Sequence, residues 1–352
     1  MSHHINTNIS GSVRLPSPRQ VMEDVPGEHL TEHVIAGREQ IRRVLLGEDD
    51  RLLMIVGPCS IHDPEAAFEY AESLVQLVKR VEDRLLVVMR VYFEKPRTTV
   101  GWKGLIYDPM LDESNNIHAG LYLARRVLIG INEIGMPAAT ELLDPITAQY
   151  LTDLISWTAI GARTAESQTH RQMASGLSMP VGFKNGTGGT DMSLELAANG
   201  IEAAMAAQSF LGIDAEGQAA ALESAGNPDV HLVLRGGRRS PMYEHAWVKE
   251  ALTILQSRGL PSRLMVDCSH DNSQKDHARQ RIVLEDVVNQ RVQGNRDIIG
   301  VMMESNLNWH VGNLVGADYD EVMAELDAGL KPFEKEPASW TARARLRTRA
   351  RS

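Results

Sequence analysis

Cysteine is nearly missing from this chain. Only Cys59 and Cys268 occur among 352 residues, too few for a secreted disulfide scaffold and consistent with a reducing compartment. A basic surface is missing as well. The formal charge of -10 gives no reason to expect a nucleic acid or an anionic membrane as partner, because both reward cationic surfaces. No apolar run reaches the length of a membrane span, and the opening Met1-Ser2-His3-His4-Ile5-Asn6 is too polar for a secretory signal. These absences point to a cytoplasmic protein. What is present is a hydrophobic content of 43%, enough to bury a substantial core in one elaborated α/β barrel or in two ordinary domains.

The first thirty or so residues are rich in Ser, Pro, Asn and Gly without apolar periodicity, so they read as an arm that orders only against a partner. A helix is predicted to follow. Thr31 would cap it, Val34, Ile35, Ile41, Val44 and Leu45 recur at helical spacing, and Gly47 suits its C-terminal end. From there short β-branched runs alternate with helical segments, the pattern of repeated βα units. Eight runs are predicted: Leu52–Pro58, Leu85–Tyr92, Pro137–Leu142, Ala159–Arg163, Pro180–Lys184, His231–Arg235, Leu264–Cys268 and Ile298–Met303. Between them Pro64–Val81 reads as a helix with Ala67, Tyr70, Ala71, Leu74, Leu77 and Val78 on one face. A doubly wound sheet would usually carry a Gly-rich dinucleotide turn after an early strand, and none occurs. The expected fold is therefore a (β/α)8 TIM barrel over 49–335, with an N-terminal arm and helix at 1–48 and a C-terminal tail at 336–352. Residues 203–227 form an insertion between strands five and six, read as a hairpin or a short helical excursion.

In such a barrel the active site forms at the C-terminal ends of the strands. The residues there include Arg90, Lys95, Arg97, Arg163, Lys184 and Arg235. Cations gathered at one mouth of an acidic protein need a compensating anion. Phosphate and carboxylate groups would serve, Arg as a planar fork and Lys as a point charge. Cys59, His270 and Glu304, at the ends of strands one, seven and eight, form a second constellation that can hold a divalent ion. Its mixed soft and hard donors suit Mn, Fe, Co or Zn without selecting among them.

At this point the residues resemble a family. Gly57-Pro58-Cys59-Ser60-Ile61-His62-Asp63-Pro64, the run from Met89 through Arg90-Val91-Tyr92-Phe93-Glu94-Lys95-Pro96-Arg97-Thr98-Thr99 to Gly104, Gly161-Ala162-Arg163-Thr164 and Gly182-Phe183-Lys184-Asn185-Gly186-Thr187 are similar to class I 3-deoxy-D-arabino-heptulosonate 7-phosphate (DAHP) synthases. So are Leu234-Arg235-Gly236-Gly237 and Asp267-Cys268-Ser269-His270. The resemblance implies condensation of phosphoenolpyruvate with D-erythrose 4-phosphate and water, giving DAHP and phosphate, as the first step of the shikimate pathway. It implies Cys59, His270 and Glu304 as metal ligands, and Arg90, Arg163, Lys184 and Arg235 around phosphoenolpyruvate. It also implies Arg97 and Thr98 at the erythrose 4-phosphate phosphate, with Lys95 between the substrates protonating the developing alkoxide. A homo-oligomer, dimer or tetramer, is implied as well.

Two departures accompany the resemblance. The family places a fourth ligand in a Ser-Ile-Thr-Asp-Ala-Cys motif that this chain lacks. The nearest counterpart is Glu325-Leu326-Asp327-Ala328-Gly329, which makes Asp327 the fourth ligand, with Asp318 and Asp320 as other candidates. In the insertion, Ala215-Glu216-Gly217-Gln218 stands where the family carries Lys-Trp-Gly-His in a segment that helps form the aromatic amino acid feedback site. This predicts a pathway-dedicated paralogue insensitive to those effectors. The alternatives are the same chemistry on another aldose phosphate, and a non-catalytic regulatory paralogue.

Overall fold

The computed structural model describes residue 5 and residues 8–97 and 99–307. Thr98, Asp318, Asp320, Asp327 and the predicted tail at 336–352 lie outside the described residues. In chain order the strands are β1 Leu52–Gly57, β2 Leu85–Arg90, β3 Ala138–Glu141, β4 Trp157–Ile160, β5 Val181–Lys184, β6 Gln208–Ile213, β7 Ala219–Ser224, β8 Val230–Leu234, β9 Leu264–Asp267 and β10 Ile298–Glu304. Eight of these pair in parallel in the order β1-β10-β9-β8-β5-β4-β3-β2, and the pairing of β1 with β2 closes the barrel. The helices are α1 Pro18–Asp24, α2 Thr31–Leu46, α3 Pro64–Val81, α4 Ile117–Ile134, α5 Ala148–Leu151, α6 Gln168–Gly176, α7 Asp191–Met205, α8 His245–Ser257 and α9 Gln280–Val292.

Local chemistry starts and stops these elements. Asp63 accepts hydrogen bonds from the Glu65 and Ala66 amides and Pro64 fills the first turn, so α3 begins where predicted. Its Ala67, Tyr70, Ala71 and Leu74 are buried against the sheet. Strand β4 begins two residues before the predicted run and ends at Ile160. The Gly161 carbonyl accepts from the Thr164 and Ala165 amides, which turns the chain out of the sheet and carries Arg163 beyond the strand end. Thr31 does not cap α2. A 3-10 turn at Glu28–Leu30 delivers the chain already helical, and Thr31 is the first helical residue with Leu30 at the cap. Gly47 closes the helix in the left-handed conformation, as predicted.

Two layers of core result. Outside the sheet, the inner faces of α3 to α9 pack on the outward strand residues. Inside it, Leu53, Ile55, Leu86, Val88, Ala139, Trp157, Ala159, Val233, Met265 and Met302 fill the barrel, and Ile41, Val44 and Leu45 of α2 join them as a plug. The insertion is a hairpin: β6 and β7 pair antiparallel from Gln208–Ser224 to Ile213–Ala219.

The segment before α2 does not wait for a partner. Ser17 caps α1, Val21 is fully buried, and donors of the barrel helices hold the segment: Arg125 Nε to Val25 O at 2.7 Å, Tyr150 Oη to Pro16 O at 2.8 Å and Tyr122 Oη to Asp24 Oδ2 at 2.6 Å. Few but well-spaced apolar residues, Val21, Val25 and Leu30, suffice to dock it on its own chain. The hairpin tip leans on the same segment through Arg19 N to Ala215 O at 2.9 Å and an Arg19–Glu216 ion pair.

Candidate active site

Side chains alternate across a strand, and the positions that fill the barrel interior continue upward into the mouth. Two residues beyond Val88 stands Arg90, beyond Ala139 Glu141, beyond Gly182 Lys184, beyond Val233 Arg235, beyond Met265 Asp267 and beyond Met302 Glu304. One period of two thus places apolar groups low and charges high. Gly57 leaves the room this requires, since a Cβ there would come within 3.0 Å of the Arg90 backbone and its φ of +151° disfavours any other residue.

The mouth is a cavity of about 280 Å³ lined by Arg90, Lys95, Arg97, Arg163, Lys184 and Arg235, all six predicted cations, together with Cys59, His270 and Glu304. The cations are not bare, however. Arg90 Nη2 donates to Glu304 Oε1 at 3.1 Å, Lys184 Nζ to Asp267 Oδ2 at 2.9 Å and Arg235 Nη1 to Asp271 Oδ2 at 2.6 Å. Arg97 and Arg163 have no carboxylate partner among the described residues. Arg90 is buried, its guanidinium lies 4.0 Å from the centre of the Tyr92 ring, and its Nη1 has no hydrogen-bond partner among the described residues. A buried cationic donor left without a partner calls for an anion.

Asp267 is the hub, and the sequence reading gave it no role. Its Oδ1 accepts from the Ser269 amide and hydroxyl, and its Oδ2 faces both Lys184 Nζ and His270 Nδ1, each at 2.9 Å. Burial alone would raise its pKa, but His270, Lys184 and Arg90 outweigh burial and hold it well below the ordinary carboxylate range. Burial likewise opposes the charge on Lys184, and the Asp267 carboxylate, with Glu141, overcomes it, raising the pKa. Glu304 follows the same balance: burial raises, Arg90 and His270 lower, and the net shift is downward. Tyr92, pushed up to about 12 chiefly by burial, stays a neutral phenol.

His270 adopts φ +57°, a conformation that costs a non-glycine residue energy and that recurs at functional sites. Its Nδ1 lies 2.7 Å from Ser269 Oγ and 2.9 Å from Asp267 Oδ2, and its Nε2 stands 3.8 Å from Glu304 Oε1. A carboxylate behind an imidazole is the arrangement that orients histidine ligands. Cys59 Sγ stands at the same mouth and accepts from Lys95 Nζ at 2.8 Å. Among the described residues no three His, Cys, Asp or Glu side chains form a ready-made metal cage. The donor chemistry and the oriented imidazole nonetheless fit a divalent ion.

Glu94 and Glu141 complete the lining. The signal that could have found them, and Asp267, is the period of two at the strand ends, read for carboxylates as well as for cations. Cys268 is buried, its thiol pushed well up by desolvation and by Asp267 beside it, which is the behaviour of a small core residue.

A closed parallel barrel whose C-terminal mouth gathers six cations beside metal-type donors has the layout of an enzyme that handles small polyanions. The family model of the DAHP synthetase I family matches residues 29–320, and the chain belongs to that family. It is 53% identical over 309 residues to the Tyr-sensitive phospho-2-dehydro-3-deoxyheptonate aldolase of Escherichia coli (strain K12), covering 88% of this chain and 85% of that protein. It is 52% identical over 291 residues to the Phe-sensitive enzyme of the same organism, covering 82% of each. A solved phospho-2-dehydro-3-deoxyheptonate aldolase from Francisella tularensis SCHU S4 superposes with a TM-score of 0.83 at 45% identity, covering 86% of this chain and 87% of that one. Among the described residues no helix is long and apolar enough to cross a membrane.

Proposed function

We propose that this protein joins C3 of phosphoenolpyruvate to the aldehyde carbon of D-erythrose 4-phosphate, adds water at C2 and releases phosphate, forming DAHP. The observation that carries this reading is Arg90 Nη1, a buried donor without a partner among the described residues, inside a mouth of six cations in a member of this family. A regulatory paralogue without substrate would leave that donor uncompensated. Arg90, Arg163, Lys184 and Arg235 bind the carboxylate and phosphate of phosphoenolpyruvate, and the carboxylates behind three of them fix their direction. Arg97 and Thr98 take the aldose phosphate, with Arg97 Nε anchored on Trp102 O at 2.6 Å. Lys95, beside Cys59, donates a proton to the alkoxide oxygen as the new bond forms.

Cys59, His270 and Glu304 would hold a divalent ion, with Asp327 as the fourth ligand, and such an ion would supply Lewis-acid polarisation of the aldehyde. A homo-oligomer in the cytoplasm completes the reading. Loss of phosphoenolpyruvate absorbance is the test, with metal-loaded protein and either erythrose 4-phosphate or arabinose 5-phosphate. Turnover is expected with the four-carbon sugar, and Cys59→Ala should lose both turnover and stoichiometric metal by elemental analysis. Turnover confined to the pentose phosphate would reassign the substrate, and a fully active, metal-replete Cys59→Ala would remove Cys59 from the ligand set. Inhibition curves with Phe, Tyr and Trp test the divergent hairpin tip, for which no inhibition at micromolar effector is expected.

A further inference from the structure

Of the carboxyls lining the mouth, Glu94 and Glu141 have no ion pair among the described residues, and Glu94 is the more deeply buried. It lies just past β2, beyond Val91, Tyr92 and Phe93, is 2% exposed, and lines the cavity with its neighbour Lys95. Its Oε2 faces the Leu143 amide at 3.2 Å and the Thr147 hydroxyl at 3.1 Å, while Oε1 has no partner among the described residues. No described cation forms an ion pair with it, unlike Glu304, Asp267 and Asp271 around it. A buried carboxylate without a cation is costly, so the protonated form is favoured. Both short hydrogen bonds fall on one oxygen, with the Asp144 amide and the Tyr107 hydroxyl farther off, and a carboxylic acid with its proton on Oε1 fits that asymmetry.

The surrounding groups agree. Asp144 follows Leu143 and accepts from the Tyr107 hydroxyl at 3.3 Å, and that hydroxyl also faces Glu94; Lys95, Glu141, Arg163 and Lys184 line the same cavity. Burial, opposed by the Leu143 amide and Thr147 and helped by Asp144, pushes the Glu94 pKa up to about 8. In a mouth where cations take every anionic group, a neutral O–H donor has a different use. Phosphoenolpyruvate carries no hydroxyl, whereas a tetrose phosphate does.

We propose that Glu94 donates a hydrogen bond from Oε1 to an uncharged oxygen of the aldose phosphate and thereby sets specificity for a hydroxylated sugar. The inference rests on the reading under Proposed function. It is tested by measuring kcat/KM of the metal-loaded protein for erythrose 4-phosphate and for its 2-deoxy and 3-deoxy analogues, with wild type, Glu94→Leu and Glu94→Gln, alongside melting temperatures. Wild type should favour the parent sugar over one analogue by roughly tenfold or more. Glu94→Leu should lose about that factor on the parent and little on that analogue, so that the ratio collapses. Glu94→Gln, whose amide still donates, should keep the ratio and lose the fall in kcat/KM above pH about 8 that ionisation of Glu94 imposes. An unchanged ratio in Glu94→Leu, equal losses on all three sugars with a lowered melting temperature, or a Gln variant as impaired as Leu would each overturn the proposal. Wild-type protein inactive on erythrose 4-phosphate would instead sink the underlying functional reading.

Discussion

His231 shows how a single residue can be settled by its depth in the barrel. It sits inward on β8, fully buried, with Nε2 accepting from Trp157 Nε1 at 3.2 Å and Nδ1 without a partner among the described residues. Desolvation, against a weaker opposing backbone contact at Asp229, pushes its pKa down from 6.5 to about 4. The unfolded chain therefore binds this proton more readily than the folded one. The associated stability is fully present above pH 6.5 and is lost as pH falls from there toward 4. Denaturant unfolding followed between those limits should show roughly 3 kcal/mol of acid-dependent loss that His231→Gln flattens.

At the scale of elements, α2 matters more than its place at the edge of the fold suggests. Its Ile41, Val44 and Leu45 close the end of the barrel opposite the mouth and belong to the interior cluster with Leu53, Leu86 and Trp157. Ile41 is fully buried. Ile41→Ala should cost about 2–5 kcal/mol in urea unfolding, because the plug cannot collapse into the space it leaves. Its kcat/KM should stay within about twofold of wild type, since the barrel separates the cavity from the mouth. The hairpin behaves differently: its tip meets α1 and its base packs on α6, where Ser224 Oγ meets Ser175 Oγ, so its support comes from the N-terminal segment and α6 and not from the sheet.

For the whole molecule, closure of the barrel brings charges from six strands to one mouth. Three of the cations are held by the chain's own carboxylates, so the empty site is not a ring of naked charge, and the ligand completes a network already in place. Phosphoenolpyruvate at about a hundred times its Kd should stabilise the fold by about 2.7 kcal/mol and raise the melting temperature by roughly 5 °C or more. Arg163→Ala should abolish most of that rise while leaving the unliganded melting temperature nearly unchanged, because Arg163 has no ion pair to lose among the described residues. An undiminished rise would remove Arg163 from the phosphoenolpyruvate site.

The sequence by itself determined the barrel, its eight strands to within a few residues, and the cations of its mouth. These are written as local periodicity, a βα rhythm and strand-end residues, which need no knowledge of distant contacts. It also carried the family resemblance, on runs such as Lys95-Pro96-Arg97-Thr98-Thr99. Only the tertiary structure decided which carboxylate meets which cation, that Asp267 organises Lys184 and His270 together, and that Glu94 has no counter-charge among the described residues. Thr31 and the N-terminal segment were misread for a related reason. Whether a polar residue caps a helix, or a sparse apolar segment docks, depends on distant donors such as Arg125 and Tyr150, which lie 100 residues from Val25 and 134 from Pro16 respectively. Ion pairing and docking are pair properties, and a pair distant in sequence exists only once the barrel has closed.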